Sequence, residues 1–122
     1  MTNTPPQGPL LAAAAVMRRD DGKVLLFQHG ATGPFAGHWS LPITVVADEE
    51  TAEDAIERVL REHAHVEPGP VEFEDTLYIN GDDGTRFIVN AFLCRGWRGE
   101  PQYSPQHYAD AAWSQPASPA VS

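Results

Sequence analysis

The stretch GHWSLPITVVADEETAEDAIERVLREHAHV, residues 37–66, decides how this chain is read. Within it Ala52, Ala55, Ile56, Val59 and Leu60 fall at i, i+3, i+4, i+7 and i+8, the spacing of a helix with one apolar side. Glu53, Asp54, Glu57, Arg58, Arg61 and Glu62 occupy the other side. The spacing predicts one amphipathic helix from Thr51 to His63, with Thr51 as N-cap and Asp54, three residues on, as its capping-box partner. The helix has to end before Pro68-Gly69-Pro70. Asp54 with Arg58, Glu57 with Arg61, and Arg58 with Glu62 are opposite charges at i, i+4, each worth a few tenths of a kcal/mol on a solvent-facing side.

Working outward, Leu10 to Arg18 and Lys23 to Gln28 read as two strands joined by the turn Asp20-Asp21-Gly22, which predicts that they pair as a hairpin. A breaker-rich loop, residues 30–37, leads to short strands at His38 to Leu41 and Ile43 to Val46, separated by Pro42. Beyond the helix, Val71, Phe73, Leu77 and Ile79 alternate with Glu72, Glu74, Thr76 and Tyr78, so one half-buried strand with a single inward face is expected. Gly81-Asp82-Asp83-Gly84 turns the chain into a strongly apolar strand from Thr85 to Arg95, and Ala111 to Ser114 reads as a last short strand. The order predicts an α+β fold: one mixed-sheet domain over residues 10–114, with proline-rich, flexible tails at 1–9 and 115–122.

At 122 residues the chain has room for one core, which excludes a two-domain enzyme. Eight Lys and Arg face 17 Asp and Glu, and the net charge of -9 repels a phosphate backbone, so sequence-independent nucleic-acid binding is excluded as the main role. Between Asp48 and Asp75 lie 11 carboxylates and only Arg58 and Arg61, a net charge equal to that of the whole protein. Such a block is either a divalent-metal site or a solvated face. The single cysteine, Cys94, has no partner for an intramolecular disulfide and sits in an apolar run, as a buried thiol does. Leu10 to Met17 is apolar for only eight residues and fits neither a signal peptide nor a membrane span, which points to a cytoplasmic protein.

Gly37-His38-Trp39-Ser40-Leu41-Pro42, followed by an acidic loop and the helix, resembles the Nudix family of pyrophosphohydrolases. That family's stretch G-x-W-x-L-P-G-G runs into a signature of Gly, five residues, Glu, seven residues, then Arg-Glu-apolar-x-Glu-Glu-x-Gly-apolar. Glu50, Arg58, Leu60, Glu62 and Val66 stand at matching positions. Ile43-Thr44 replace the paired glycines, Val59 the Glu after Arg, His63 the second Glu of the pair, and His65 the late Gly. The resemblance implies a Nudix-type mixed β-sheet sandwiched by helices, with Glu50 and Arg58 as organisers of the loop and helix.

In the family, positions 59, 62 and 63 carry carboxylates that share a helix face and hold Mg²⁺ or Mn²⁺ against a diphosphate. Here that face offers Val59, Glu62 and His63, a poor set for Mg²⁺, which prefers oxygen donors. Glu62 and His63 are the candidate catalytic residues. With His107 from the loop before Trp113 they are also a candidate metal set suited to Zn²⁺ or Mn²⁺. The plainer reading sets His63 at the negative end of the helix dipole and His107 at the surface. Phe35, Trp39 and Tyr78 are candidates for stacking on a flat ligand or for ordinary core and rim positions, and Arg18 and Arg86 for phosphate or solvent. The favoured function is a Nudix-fold binding module for a nucleotide-like small molecule, with metal-dependent hydrolysis weak or lost. The alternative is a divergent hydrolase using Glu62 and His63. The resemblance leaves a homodimer open.

Overall fold

The computed structural model describes residues 8–115, so most of both expected tails lies outside the described residues. Among the described residues seven strands form two sheets. In chain order they are β1 (Leu10–Met17), β2 (Val24–His29), β3 (Trp39–Ser40), β4 (Ile43–Val45), β5 (Val71–Asn80), β6 (Arg86–Cys94) and β7 (Tyr108–Ser114). The first sheet has the order β4-β1-β6-β5 and the second β3-β2-β7, so β1 and β2 do not form the expected hairpin: the turn is present, but beyond a single bridge between Arg18 and Val24 the two strands diverge into different sheets. β1 runs parallel to β6 and antiparallel to β4, which makes the larger sheet mixed.

Strand β1 explains the architecture. Its residues Ala12 to Met17 are all buried, because it lies between two apolar layers, as a strand with a parallel neighbour usually does. Ala13, Ala15 and Met17 face the helix side, with Phe92 and Cys94 of β6 and Leu25 and Phe27 of β2. Ala12, Ala14 and Val16 face the opposite layer, with Phe35, Leu41, Phe87, Val89 and Leu93. The small Ala13 and Ala15 on that side let the helix approach closely, and it packs on β1 and β4. Cys94 is buried, as its apolar surroundings predict.

The helix occupies the expected residues but changes character midway. α1 (Ala52–Arg58) starts from the predicted capping box: Asp54 N–H donates to Thr51 Oγ1 at 3.0 Å, and Thr51 N–H donates to Asp54 Oδ2 at 3.1 Å. Val59–His63 continues it as a single wider π-type turn, in which Ala64 N–H donates to the Val59 carbonyl five residues back. Widening by one residue turns Val59, Leu60 and His63 inward together.

Strand β5 departs from the simple alternation. A register shift between Phe73 and Asp75 inserts one extra residue opposite β6. Phe73 therefore pairs with Phe92 on the helix side, whereas Leu77 and Ile79 pair with Val89 and Phe87 and join the opposite layer. The expected single inward face is two faces joined by a bulge. β7 also begins three residues earlier than expected, at Tyr108. Among the described residues no helix is long and apolar enough to cross a membrane.

Candidate functional site

The loop that leads into α1 is held by one side chain. Arg58 donates from Nε to Glu50 Oε2 and from Nη2 to Glu50 Oε1, each at 2.9 Å. The same guanidinium donates to Thr44 Oγ1 at 3.1 Å and to the Val45 carbonyl at 3.0 Å, while Glu50 Oε1 also accepts from Ala47 N–H at 2.9 Å. Hydrogen bonds from Arg58 and Ala47 hold the Glu50 carboxyl down at about 2. Glu50 and Arg58 thus tie α1, β4 and the intervening loop into one unit. Thr44, at a family glycine position, contributes its hydroxyl to the tie.

At position 63, where the family signature has the second Glu of its pair, this chain has an imidazole. His63 is only 8% exposed, and its Nδ1 lies 2.6 Å from the Tyr108 hydroxyl, which reaches 3.5 Å from the Ile43 carbonyl. Burial first, then the neighbouring His107, Arg58, His29 and His65, pushes the His63 imidazole down to about 4, so it is neutral at pH 7. His107 stacks on it, ring centroids 4.6 Å apart and planes 18° from parallel. His29 also packs against Tyr108, and burial lowers it to about 4. Ser40 Oγ donates to the Leu41 carbonyl at 2.7 Å, which leaves His29 Nε2–H to donate to Ser40 Oγ at 2.7 Å. Tyr108, His29 and Ser40 were missed by sequence reasoning, because strands distant in the chain bring them together.

This set does not fit a divalent ion. Val59 has no donor atom and is 0% exposed in the core cluster with Ile56 and Leu60. Imidazole binds a metal in its ring plane at about 2.0–2.1 Å, so two stacked rings cannot converge on one ion. Glu62 is exposed, and its backbone carbonyl accepts from Ser104 Oγ at 2.6 Å. Among the described residues no group of three or more His, Cys, Asp or Glu is placed to hold a metal ion. Glu62, His63 and His107 are neighbours in the fold without forming a ligand cage. His63 and Tyr108 are a buried hydrogen-bonded pair, with the exposed His107 ring stacked over the imidazole.

His65, two residues past the last helical residue and glycine in the family signature, adopts the left-handed conformation that favours glycine, with φ 59°. Its Nε2–H donates to Ser104 Oγ at 2.9 Å, since that hydroxyl spends its own proton on Glu62.

The three aromatic candidates lie apart. Phe35 is buried, 5.1 Å from Phe87 and 5.3 Å from His29 between ring centroids. Trp39 is half-buried on β3, paired with Gln28. Tyr78 is 81% exposed on β5. Leu11 pairs with Ile88 and Ile88 with Tyr78, so these three form one row across β1, β6 and β5. Alternation along β1 and β6 puts that row on the helix side of the sheet, with Arg86 one step further along the same face of β6.

The family described as NUDIX domain matches residues 8–119. Among solved structures, the MutT NUDIX hydrolase from Burkholderia pseudomallei superposes with a TM-score of 0.79 at 24% identity, covering 88% of this chain and 84% of that one. The NUDIX domain of Shewanella oneidensis NrtR, complexed with ADP ribose, gives 0.71 at 25% identity over 93% and 78% of the two chains. The E. coli ORF135 protein gives 0.69 at 27% identity over 87% and 73%. A search of curated proteins found no significant match. The loop locked by Glu50 and Arg58, the capped helix behind it and the match along nearly the whole chain lead to one conclusion: the chain belongs to the Nudix family.

Proposed function

We propose that this Nudix protein binds a nucleotide-like small molecule and that the family's metal-dependent hydrolysis is weak or lost. The observation that carries the reading is the fate of the three family carboxylate positions. Val59 is sealed in the core, His63 is hydrogen-bonded to Tyr108, and Glu62 alone remains a carboxylate. Without clustered carboxylates there is little to fix an oxygen-seeking cation against a diphosphate.

The ligand surface in this proposal is the row Leu11, Ile88 and Tyr78, with Arg86 beside it. Tyr78 offers a ring face to a base, Leu11 and Ile88 an apolar floor, and Arg86 a fork of donors for phosphate oxygens. The Shewanella NrtR domain holds ADP ribose on the same fold, which makes that molecule a reasonable probe. Trp39 borders the His29 and Ser40 pair and is the second stacking candidate; Phe35, being buried, contributes through packing.

Calorimetric titration with ADP ribose, run alongside a phosphate-release assay with Mg²⁺, Mn²⁺ and Zn²⁺, tests this. Binding without turnover, weakened about tenfold in Tyr78→Ala, is the expected result. Metal-dependent turnover that disappears in Glu62→Gln would instead establish the divergent hydrolase.

A further inference from the structure

Five of the chain's eight cationic residues, Arg18, Arg19, Lys23, Arg95 and Arg98, fall on two short segments: the turn after β1 and the segment after β6. Parallel pairing explains why they meet. Met17 is in register with Cys94, so Arg18 and Arg95 leave the sheet as neighbours, about 4.8 Å apart in the ladder direction. Together with Arg19, Asp20, Asp21, Gly96 and Trp97 they line an open cleft of about 740 Å³. It sits at the far end of β1 from Leu11, about 23 Å along the strand.

The cleft is organised. Arg19 donates to Asp21 through Nη2 at 2.7 Å and Nε at 3.3 Å, and its guanidinium lies 4.5 Å from the centre of the Trp113 ring. Trp97 stacks on Trp113, centroids 6.2 Å apart at 16°. Behind the cleft, Gly69 packs its backbone against the Arg95 and Gly96 carbonyls so tightly that no side chain fits there. Arg95 N–H donates to the Pro70 carbonyl at 3.4 Å, and Glu67 and Arg98 exchange two backbone hydrogen bonds of 2.9 Å. The 95–98 segment is therefore preset. Among the described residues the ion pair of Arg18 is a long one, 3.8 Å to Glu74, which leaves it able to turn to a better partner.

We infer that this cleft, between the β1–β2 turn and the segment after β6, is a second ligand site for a small phosphorylated nucleoside. Arg18 and Arg95 hold the phosphate, two like charges that an anion between them relieves. Trp97, already backed by Trp113, offers an indole at the rim for the base. Asp20, on the exposed turn, accepts from a ribose hydroxyl or a base amino group.

The test uses the full chain and three probes: adenosine monophosphate, inorganic phosphate and adenosine. Binding is read from the NMR signals of the Gly96 amide and the Trp97 indole N–H. The monophosphate is expected to move both signals and to bind about tenfold or more tightly than either fragment. The surface double variant Arg18→Gln/Arg95→Gln is expected to abolish the movement at low salt, while Tyr78→Ala leaves it intact. If the signals stay still, or move equally in the double variant, the site is refuted. Movement by phosphate alone as strong as by the monophosphate refutes the nucleoside part and leaves an anion site only. Failure of the Tyr78 surface is read separately, from ADP ribose affinity.

Discussion

Arg58 and Glu50, eight residues apart, meet through two parallel hydrogen bonds of 2.9 Å, and the same guanidinium spans to Thr44 and Val45 on β4. A planar fork is needed to serve three partners at once, and an ammonium cannot reproduce it. Arg58→Lys should lose about 1–2 kcal/mol of stability despite keeping the charge. Denaturant midpoints of the two proteins check this; equal midpoints would mean that the fork is dispensable.

Stability should fall in acid in two stages. His29 and His63 are lowered to about 4 from 6.5, so the unfolded chain takes up protons below pH 6.5 that the folded chain refuses. Their contribution is complete above 6.5 and is lost as the pH falls towards 4. Glu50 is lowered to about 2 from 4.5, so its contribution is present above 4.5 and is lost as the pH falls towards 2. Melting temperatures across pH 3–8 should be level at the top and decline from about 6.5. A flat profile from 4 to 7 would contradict the burial of both imidazoles.

Restoring the family's carboxylate at position 59 should not restore a metal site. Val59 has no exposed surface, so Val59→Glu places an unpaired charge in the core and should cost about 3–5 kcal/mol. Chemical denaturation measures the loss. A variant as stable as the parent, with Mn²⁺ raising its melting point, would show that the wide turn can rotate outward.

His65 sits at φ 59°, a conformation that penalises side chains branched at Cβ. His65→Val should cost about 1–2 kcal/mol, whereas His65→Gly should be nearly neutral, losing the Ser104 hydrogen bond but shedding backbone strain. The two melting curves decide: if glycine is the worse replacement, the hydrogen bond outweighs the strain.

Much of this fold is written locally. The Thr51 cap, the apolar stripe from Ala52 to Leu60 and the turn at Asp20-Asp21-Gly22 depend on neighbours in the chain, so periodicity and turn chemistry reveal them. The roles of Glu50 and Arg58 came from family resemblance, and the geometry supplies their mechanism. Two local features escaped because they are errors of count: one extra residue in the turn after Arg58 and one at Phe73 to Asp75 leave the apolar pattern almost unchanged while reversing which way side chains face. The His63, Tyr108 and His107 cluster joins residues over 40 positions apart, and only the packing of β7 against β2 creates it. The cleft at Arg18 and Arg95 was equally hidden, since nothing local says that β1 and β6 run parallel.

The extra residue in β5 has a meaning for life in a crowded solution. β5 ends the four-stranded sheet, and its ten residues are the longest strand the molecule presents at an edge. A straight edge of that length is a template on which another molecule's strand can grow. The kink at Glu74 and Asp75 breaks the ladder into two short runs facing different ways, and the carboxylates there repel an identical neighbour. The bulge that divides the strand's expected single face in two is thus also a guard against fibre-like self-assembly.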